Sequence, residues 1–308
     1  MTGSAGAMAR RWLAALVAPL FLLVLAGCSD APSETDGREQ ANPLLYEIAS
    51  ADGATRGWML GTIHALSDRT EWRTPAIERA IGDAGVLVVE IRGLGEESHV
   101  ARAFAALATS TGLPPLAERV PPELAAPLAT ILARGGLSPD RFAGTETWAA
   151  AITLARVDAT GDPANGVDRA LLADFAGRPV RELEGAEGQL AIFDGLPETD
   201  QRAMLAAVVR DAERARKDPG RLQRAWLAGD ATAIEASTRE GILAEPALRE
   251  ALLTGRNRRW ANALVPLLES GPRPLVAVGS AHLVGPEGLA ALLEARGYRV
   301  RRIGAPRP

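Results

Sequence analysis

The chain has 308 residues, 47% hydrophobic and 23% charged, with a net charge of −4. That is enough apolar sequence to bury a full core, as one large domain or two small ones. Arg10 and Arg11 are the only charges before Cys28, so the remainder carries −6, and such a surface lacks the clustered positive charge that nucleic acid requires.

The N-terminal stretch MARRWLAALVAPLFLLVLAGCSD places two arginines before an uncharged apolar run, Trp12 to Leu25, and ends in small residues. That order is a secretory signal, and the run is too short and poorly flanked for a spanning helix. Its ending LAGC, Leu25 to Cys28, resembles the lipobox of bacterial lipoproteins. The resemblance implies a signal peptide over residues 1–27, cleavage before Cys28 and acylation of that cysteine. Several acyl chains would hold the protein durably to a membrane where one would be marginal. The alternative is a simple cleaved signal with an incidental cysteine. Cys28 is the only cysteine, so its lipidation leaves no thiol for a disulfide, a nucleophile or a zinc site. The expected location is the cell envelope, with the folded part outside the cytoplasm, on the periplasmic side of an outer membrane if the cell has one.

Residues 28–43 are polar, short of aliphatics and broken by proline, and read as a tether. The domain therefore spans 44–308. LLYEIAS (44–50) and RGWMLGTIH (56–64) flank the turn-rich ADGAT and predict a hairpin. TPAIERAIGDA (74–84) predicts a helix with Thr74 as N-cap and Pro75 in the first turn. GVLVVEI (85–91) is a dense β-branched run, the pattern of a strand buried on both faces. Residues 97–175 are rich in Ala and Leu between prolines and glycines and predict several helices. RPVRELE (178–184) is a strand candidate, and further helices run to about 269, including 198–217 and 245–270. Strand RPLVAVGSAH (273–282), helix PEGLAALLEARG (286–297) and strand YRVRRIG (298–304) close the chain. The fold expected is α/β, a mixed central sheet with flanking helices and a helix-rich middle section.

Two of the three histidines sit in the same short pattern: Gly-x-x-His at Gly61–His64 and again at Gly279–His282. Each follows a strand and shortly precedes a helix. In open α/β sheets ligands bind at the carboxyl ends of parallel strands. Glu90 ends the strand that follows His64 one crossover later. If the three strands are neighbours, two imidazoles and a carboxylate converge, with Gly61 and Gly279 allowing close approach of backbone or ligand. Two histidines and one carboxylate suit a catalytic divalent metal, which would activate water and polarise a carbonyl. The competing reading is a pair of histidines satisfied by backbone at strand ends. No His-Glu-x-x-His, P-loop or Gly-x-Ser-x-Gly pattern is present.

GWMLGTIHALSD, GVLVVEI, GVDRALLADFAGRPVRELEGAEGQLAIFDGLP and LVAVGSAHLVGPEGLAALLEARGYRVRRI resemble, in order and wording, the TraB/GumN family. The resemblance runs from about Leu44 to Ile303. That family is similar to the Tiki metalloproteases, whose pattern is a pair of Gly-x-x-His motifs with a glutamate. It implies His64, Glu90 and His282 as the catalytic and metal-ligating residues, with Gly61 and Gly279 as motif glycines, and it bears on the site more than on the substrate. The first functional reading is a metal-dependent hydrolase of peptides or related amides, with Mn, Co or Zn as the metal.

Asp168, Glu184 and Gln189 lie in family-like blocks and could orient a ligating histidine, or else cap helices on a solvated face. Arg256 and Asn257 in GRNRRWA could contact a substrate carbonyl or carboxylate, or belong to an exposed arginine cluster. His99 reads as a surface helix start, and most of the six tryptophans read as core. Besides the metal-dependent hydrolase, two readings stand open. One is a metal-independent hydrolase with a histidine base and Glu90, as the related erythromycin-esterase-like group suggests. The other is a non-enzymatic lipoprotein that captures a peptide or haem.

Overall fold

Apolar runs bounded by turn residues become strands, and the long helical stretches carry the chain between them. The computed structural model of the protein describes residues 41–93 and 97–304, without the side chains of residues 97–99. The expected signal segment, Cys28, nearly all of the expected tether and the side chain of His99 lie outside the described residues.

In chain order the first elements are β1 (Leu45–Ala49), β2 (Thr55–Thr62), α1 (Pro75–Asp83), β3 (Val86–Val89) and α2 (Glu97–Leu107). There follow α3 (Ala125–Arg134), α4 (Thr147–Ala155), α5 (Val167–Asp174), β4 (Val180–Glu182), α6 (Gly185–Asp194) and α7 (Glu198–Lys217). The last part holds α8 (Arg221–Ala228), α9 (Ala231–Ser237), α10 (Pro246–Arg249), α11 (Gly255–Ser270), β5 (Pro274–Gly279), α12 (Leu289–Glu294) and β6 (Arg299–Ile303). The described residues divide into a sheet unit (41–90, 160–183 and 219–304) and a helical unit (91–93, 97–159 and 184–218).

In the sheet unit the strand order is β4-β3-β5-β2-β1-β6. The predicted hairpin forms, β1 running antiparallel to β2, and β6 adds antiparallel to β1. β5 lies between β2 and β3 and is parallel to both, and β4 is parallel to β3. All four residues of β3 are buried, as its β-branched composition requires of an inner strand. On one face Ile48, Met59, Val88, Val276 and Val278 pack with Trp260, Leu264, Leu289 and Leu293 from α11 and α12. Helix α1 starts where the sequence places it: the Thr74 hydroxyl accepts from the Ile77 amide, with Pro75 in the first turn.

In the helical unit α4 is buried on most of its surface. Trp148 lies edge-on to Phe104 and stacked with Phe193. The buried Arg119 guanidinium donates to the carbonyls of Pro114, Phe142 and Thr145, tying its own segment to the 142–145 turn.

Several boundaries differ from expectation. β2 and β5 stop at Thr62 and Gly279, so His64 stands past its strand and His282 closes a 3-10 turn, Ser280–His282. The helix expected from residue 286 starts at Leu289, because Gly285 takes a positive φ of 75° and holds the preceding segment in a turn. The long helix expected over 245–270 is interrupted by a π turn, Glu250–Thr254.

Leu264 is fully buried between sheet and helix, so Leu264→Ala should cost about 2–5 kcal/mol in denaturant unfolding. Gly82, on the exposed face of helix α1 with open space where a β-carbon would sit, should gain about 0.5–1 kcal/mol on replacement by Ala.

Candidate active site

Because β2, β5 and β3 are parallel neighbours, the segments that leave their carboxyl ends emerge side by side. Gly279 is level with Thr62 in the register, and Val89 with Ala277. His64, Glu90 and His282 therefore meet in the sheet unit, with exposures of 5%, 2% and 0%. A β-carbon built on Gly279 would stand 3.5 Å from Glu90 Oε1, 3.6 Å from His282 Cδ2 and 3.9 Å from His64 Nε2. The two motif glycines act differently. On Gly61 the same atom would run into Ser280 Oγ at 2.5 Å, so that glycine serves close packing, whereas at Gly279 it would meet Glu90, His282 and His64 at ordinary contact distance, in a small cradle the three side chains form.

His64 is oriented from behind. Its Nδ1 lies 2.6 Å from Asp168 Oδ2, and the Thr62 hydroxyl donates to Asp168 Oδ1 at 2.8 Å. Asp168 comes from the first turn of α5, and a close approach brings α5 there: a β-carbon on Gly166 would overlap the His64 carbonyl. Nε2 of His64 is buried with no hydrogen-bond partner. Burial is the largest influence on His64 and disfavours its charged form. The charge and hydrogen bond of Asp168, with the charge of Glu90, outweigh burial and the opposing Arg256, so the pKa stands above the ordinary histidine value. For Asp168, burial raises the pKa, but His64 and the Thr62 hydroxyl together bring it below the ordinary value.

Glu90 is held by two donors, the Gly279 amide at 2.8 Å to Oε1 and Arg256 Nη2 at 2.7 Å to Oε2. His282 lies with Nδ1 2.5 Å from Asn257 Oδ1 and Nε2 3.4 Å from Arg256 Nη1. Its ring rests on Trp260 with centroids 4.4 Å apart, and Arg256 sits over the same indole at 4.6 Å. Burial, then the charges of Arg256 and His64, push the His282 pKa well below its ordinary value.

Arg256 and Asn257 are each 1% exposed, which corrects the exposed-cluster expectation; that description holds for Arg258 and Arg259. The π turn ends where they begin, and the Leu252 carbonyl within it accepts from Arg256 Nη1 at 3.1 Å. Asp168, Arg256 and Asn257 thus join the two histidines and Glu90 within one unit. Glu184, the N-cap of α6, and Gln189, buried on α6, belong to the helical unit. Thr62 and Trp260 were not singled out from the sequence. Thr62 could have been, since it lies inside the first Gly-x-x-His, whereas Trp260 carries no signal apart from its one-turn spacing to Arg256.

The donor chemistry matches a divalent cation only in part. Nε2 of His64 with its carboxylate behind Nδ1 is how ligating histidines are held. Glu90, however, is engaged on both oxygens, and a guanidinium stands at His282 Nε2. As the side chains stand, no group of three or more His, Cys, Asp or Glu among the described residues is gathered to hold a metal ion.

The carboxyl ends of three parallel strands thus bring His64, Glu90 and His282 together, and helices α5 and α11 add Asp168 and Arg256 as their buried partners. The chain belongs to the TraB/PrgY/gumN family, whose family model matches residues 44–302. Comparison with curated proteins and with solved structures gave no match.

The pH signs follow from the geometry. His64, with a raised pKa, contributes stability that is full below about pH 6.5 and is lost as pH rises through its folded value. Asp168, with a lowered pKa, contributes stability above about pH 3.9 that is lost as pH falls through its folded value. His282, with a lowered pKa, makes the fold less stable as pH drops below about 6.5, because the unfolded chain then takes up a proton the folded one refuses. Asp168→Asn should remove the alkaline loss and lower the His64 pKa in an NMR titration. It should also cost roughly 2 kcal/mol at pH 6.

Proposed function

We propose that this protein is a hydrolase of peptide or related amide bonds, held outside the cytoplasm by a lipid on Cys28. The observation that carries the hydrolytic reading is the His64 imidazole, fixed by Asp168 through Nδ1 and presenting a buried, unpartnered Nε2 beside the Gly279 cradle. That is the arrangement of an oriented general base. Asp168 holds the ring and stabilises the charge that forms when Nε2 takes a proton from a water attacking the carbonyl. The same proton then goes to the leaving nitrogen. Arg256, fixed by Glu90, supplies positive charge toward the oxyanion. Since Nε2 is shielded from solvent, substrate entry requires the covering chain to move, as lids do. The likeness to Tiki metalloproteases in the two Gly-x-x-His motifs directs this reading to peptide bonds.

A second reading keeps a divalent ion, Mn, Co or Zn, on His64, His282 and Glu90. It is favoured by both imidazoles having Nδ1 tied to a side-chain acceptor. Such an ion would supply Lewis acidity and an activated water.

Anchoring is supported by LAGC at residues 25–28. Among the described residues no helix is long and apolar enough to cross a membrane. Cys28→Ser should move the protein from the membrane pellet to the soluble fraction; its staying in the pellet would defeat the lipid reading.

The direct test is peptide-library digestion followed by mass spectrometry, with metal content measured on the same preparation. His64→Ala should lose at least 100-fold in kcat/KM. Gly279→Ala should do the same without unfolding, since its methyl meets its neighbours at ordinary contact distances and fills the cradle. Activity that survives exhaustive chelation selects the metal-free mechanism. Stoichiometric metal that disappears in His64→Ala/His282→Ala selects the second reading. Saturable peptide or haem binding without turnover would replace both with a capture protein.

A further inference from the structure

The second motif histidine sits in a chain of hydrogen bonds whose direction is fixed at both ends. At one end stands Arg256, a guanidinium that only donates. Its Nη1 faces His282 Nε2 at 3.4 Å, so that nitrogen must accept. The proton of a neutral imidazole then resides on Nδ1, which faces Asn257 Oδ1 at 2.5 Å. At the other end, Asn257 Nδ2 donates to the Glu287 carbonyl at 2.8 Å, and a carbonyl only accepts. The amide orientation that satisfies Glu287 is the one that presents oxygen to His282. Two independent constraints, one from a cation and one from the backbone, give the same tautomer. Past Arg256 the chain continues through Nη2 to Glu90 Oε2 and ends with the Gly279 amide donating to Oε1. Nothing of this kind restrains Nε2 of His64, which has no partner.

We propose that the two Gly-x-x-His motifs are chemically unequal. His282 is locked by Asn257 as the Nδ1–H tautomer and acts as the acceptor that holds Arg256 against Glu90, so that His64 alone does the reactive chemistry. Asn257 is therefore a positioning residue for Arg256 through His282. The packing agrees, since His282 and Arg256 share the face of Trp260. A cation on His282 Nε2 would have to displace the guanidinium already there. This deepens the reading of the site under Proposed function, but it concerns the imidazole itself and stands whether or not peptides are cleaved.

The test is the 15N spectrum of the histidine rings in the purified chain in detergent, with His64→Gln and His99→Gln used for assignment. His282 should show a protonated Nδ1 and an unprotonated Nε2. One equivalent of zinc should leave both signals in place. Asn257→Leu, close in shape but without donor or acceptor, should shift the tautomer ratio toward Nε2–H about fivefold, the worth of one ordinary hydrogen bond. Asn257→Asp keeps the acceptor and should keep Nδ1 protonated. A proton on Nε2 in the unaltered protein overturns the proposal, and that reading needs no variant to fold. A zinc-induced shift at His282 Nε2, or a ratio unmoved in Asn257→Leu, overturns it as well. Loss of peptide cleavage without these spectral changes would bear only on the hydrolase reading.

Discussion

Everything at the candidate site depends on β5 pairing in parallel with both β2 and β3. β2 and β3 come from the first third of the domain and β5 from its end, with the helical unit lying between them in the chain. The pairing register puts Gly279 level with Thr62 and Val89 level with Ala277. Because β5 is buried on both faces, a slip of one residue would carry each of its side chains into packing shaped for another. The hydrophobic demand of the sheet therefore sets the relative height of His64, Glu90 and His282. Placement of the reactive groups is a by-product of burying Leu275, Val276 and Val278.

Burying a carboxylate beside an imidazole and another beside a guanidinium is costly. Asp168 with His64, and Glu90 with Arg256, are each nearly or fully removed from water. Desolvation of such groups is offset only when geometry is good and the remaining atoms are bonded, and apolar replacements of like volume are often no less stable. Here the further bonds are present: Thr62 on Asp168, the Gly279 amide on Glu90, and the Leu252 carbonyl and Trp260 face on Arg256.

Local irregularity is concentrated where the site is assembled. β2 and β5 stop short of their histidines, and a 3-10 turn turns His282 toward α11. A π turn precedes Arg256 and Asn257, and such turns accompany functional positions in many helices. Gly61 and Gly166 are needed because other atoms occupy the space a side chain would take, whereas at Gly279 a methyl would just meet the three site side chains. One residue type in one motif thus serves two physical ends.

Much of this protein was legible from residue order. The hairpin, the capped start of α1, the buried strand β3 and helix α7 follow from periodicity and turn chemistry, which act within a few residues. The convergence of His64, Glu90 and His282 was conditional on strand adjacency, and adjacency is a property of the folded sheet. The sequence could not decide whether Arg256 is exposed or buried, because the arginines at 256, 258 and 259 look alike along the chain. Only the packing of α11 against the sheet turns the first inward and the other two to solvent. The same holds for the unequal histidines. Their motifs read identically, and the difference between them comes from the partners behind each Nδ1, Asp168 for one and Asn257 for the other, brought from segments 104 and 25 residues away. Short-range steric and hydrogen-bond preferences wrote the elements into the sequence, whereas charge, tautomer and burial at the site were decided by long-range contacts that exist only once the sheet has closed.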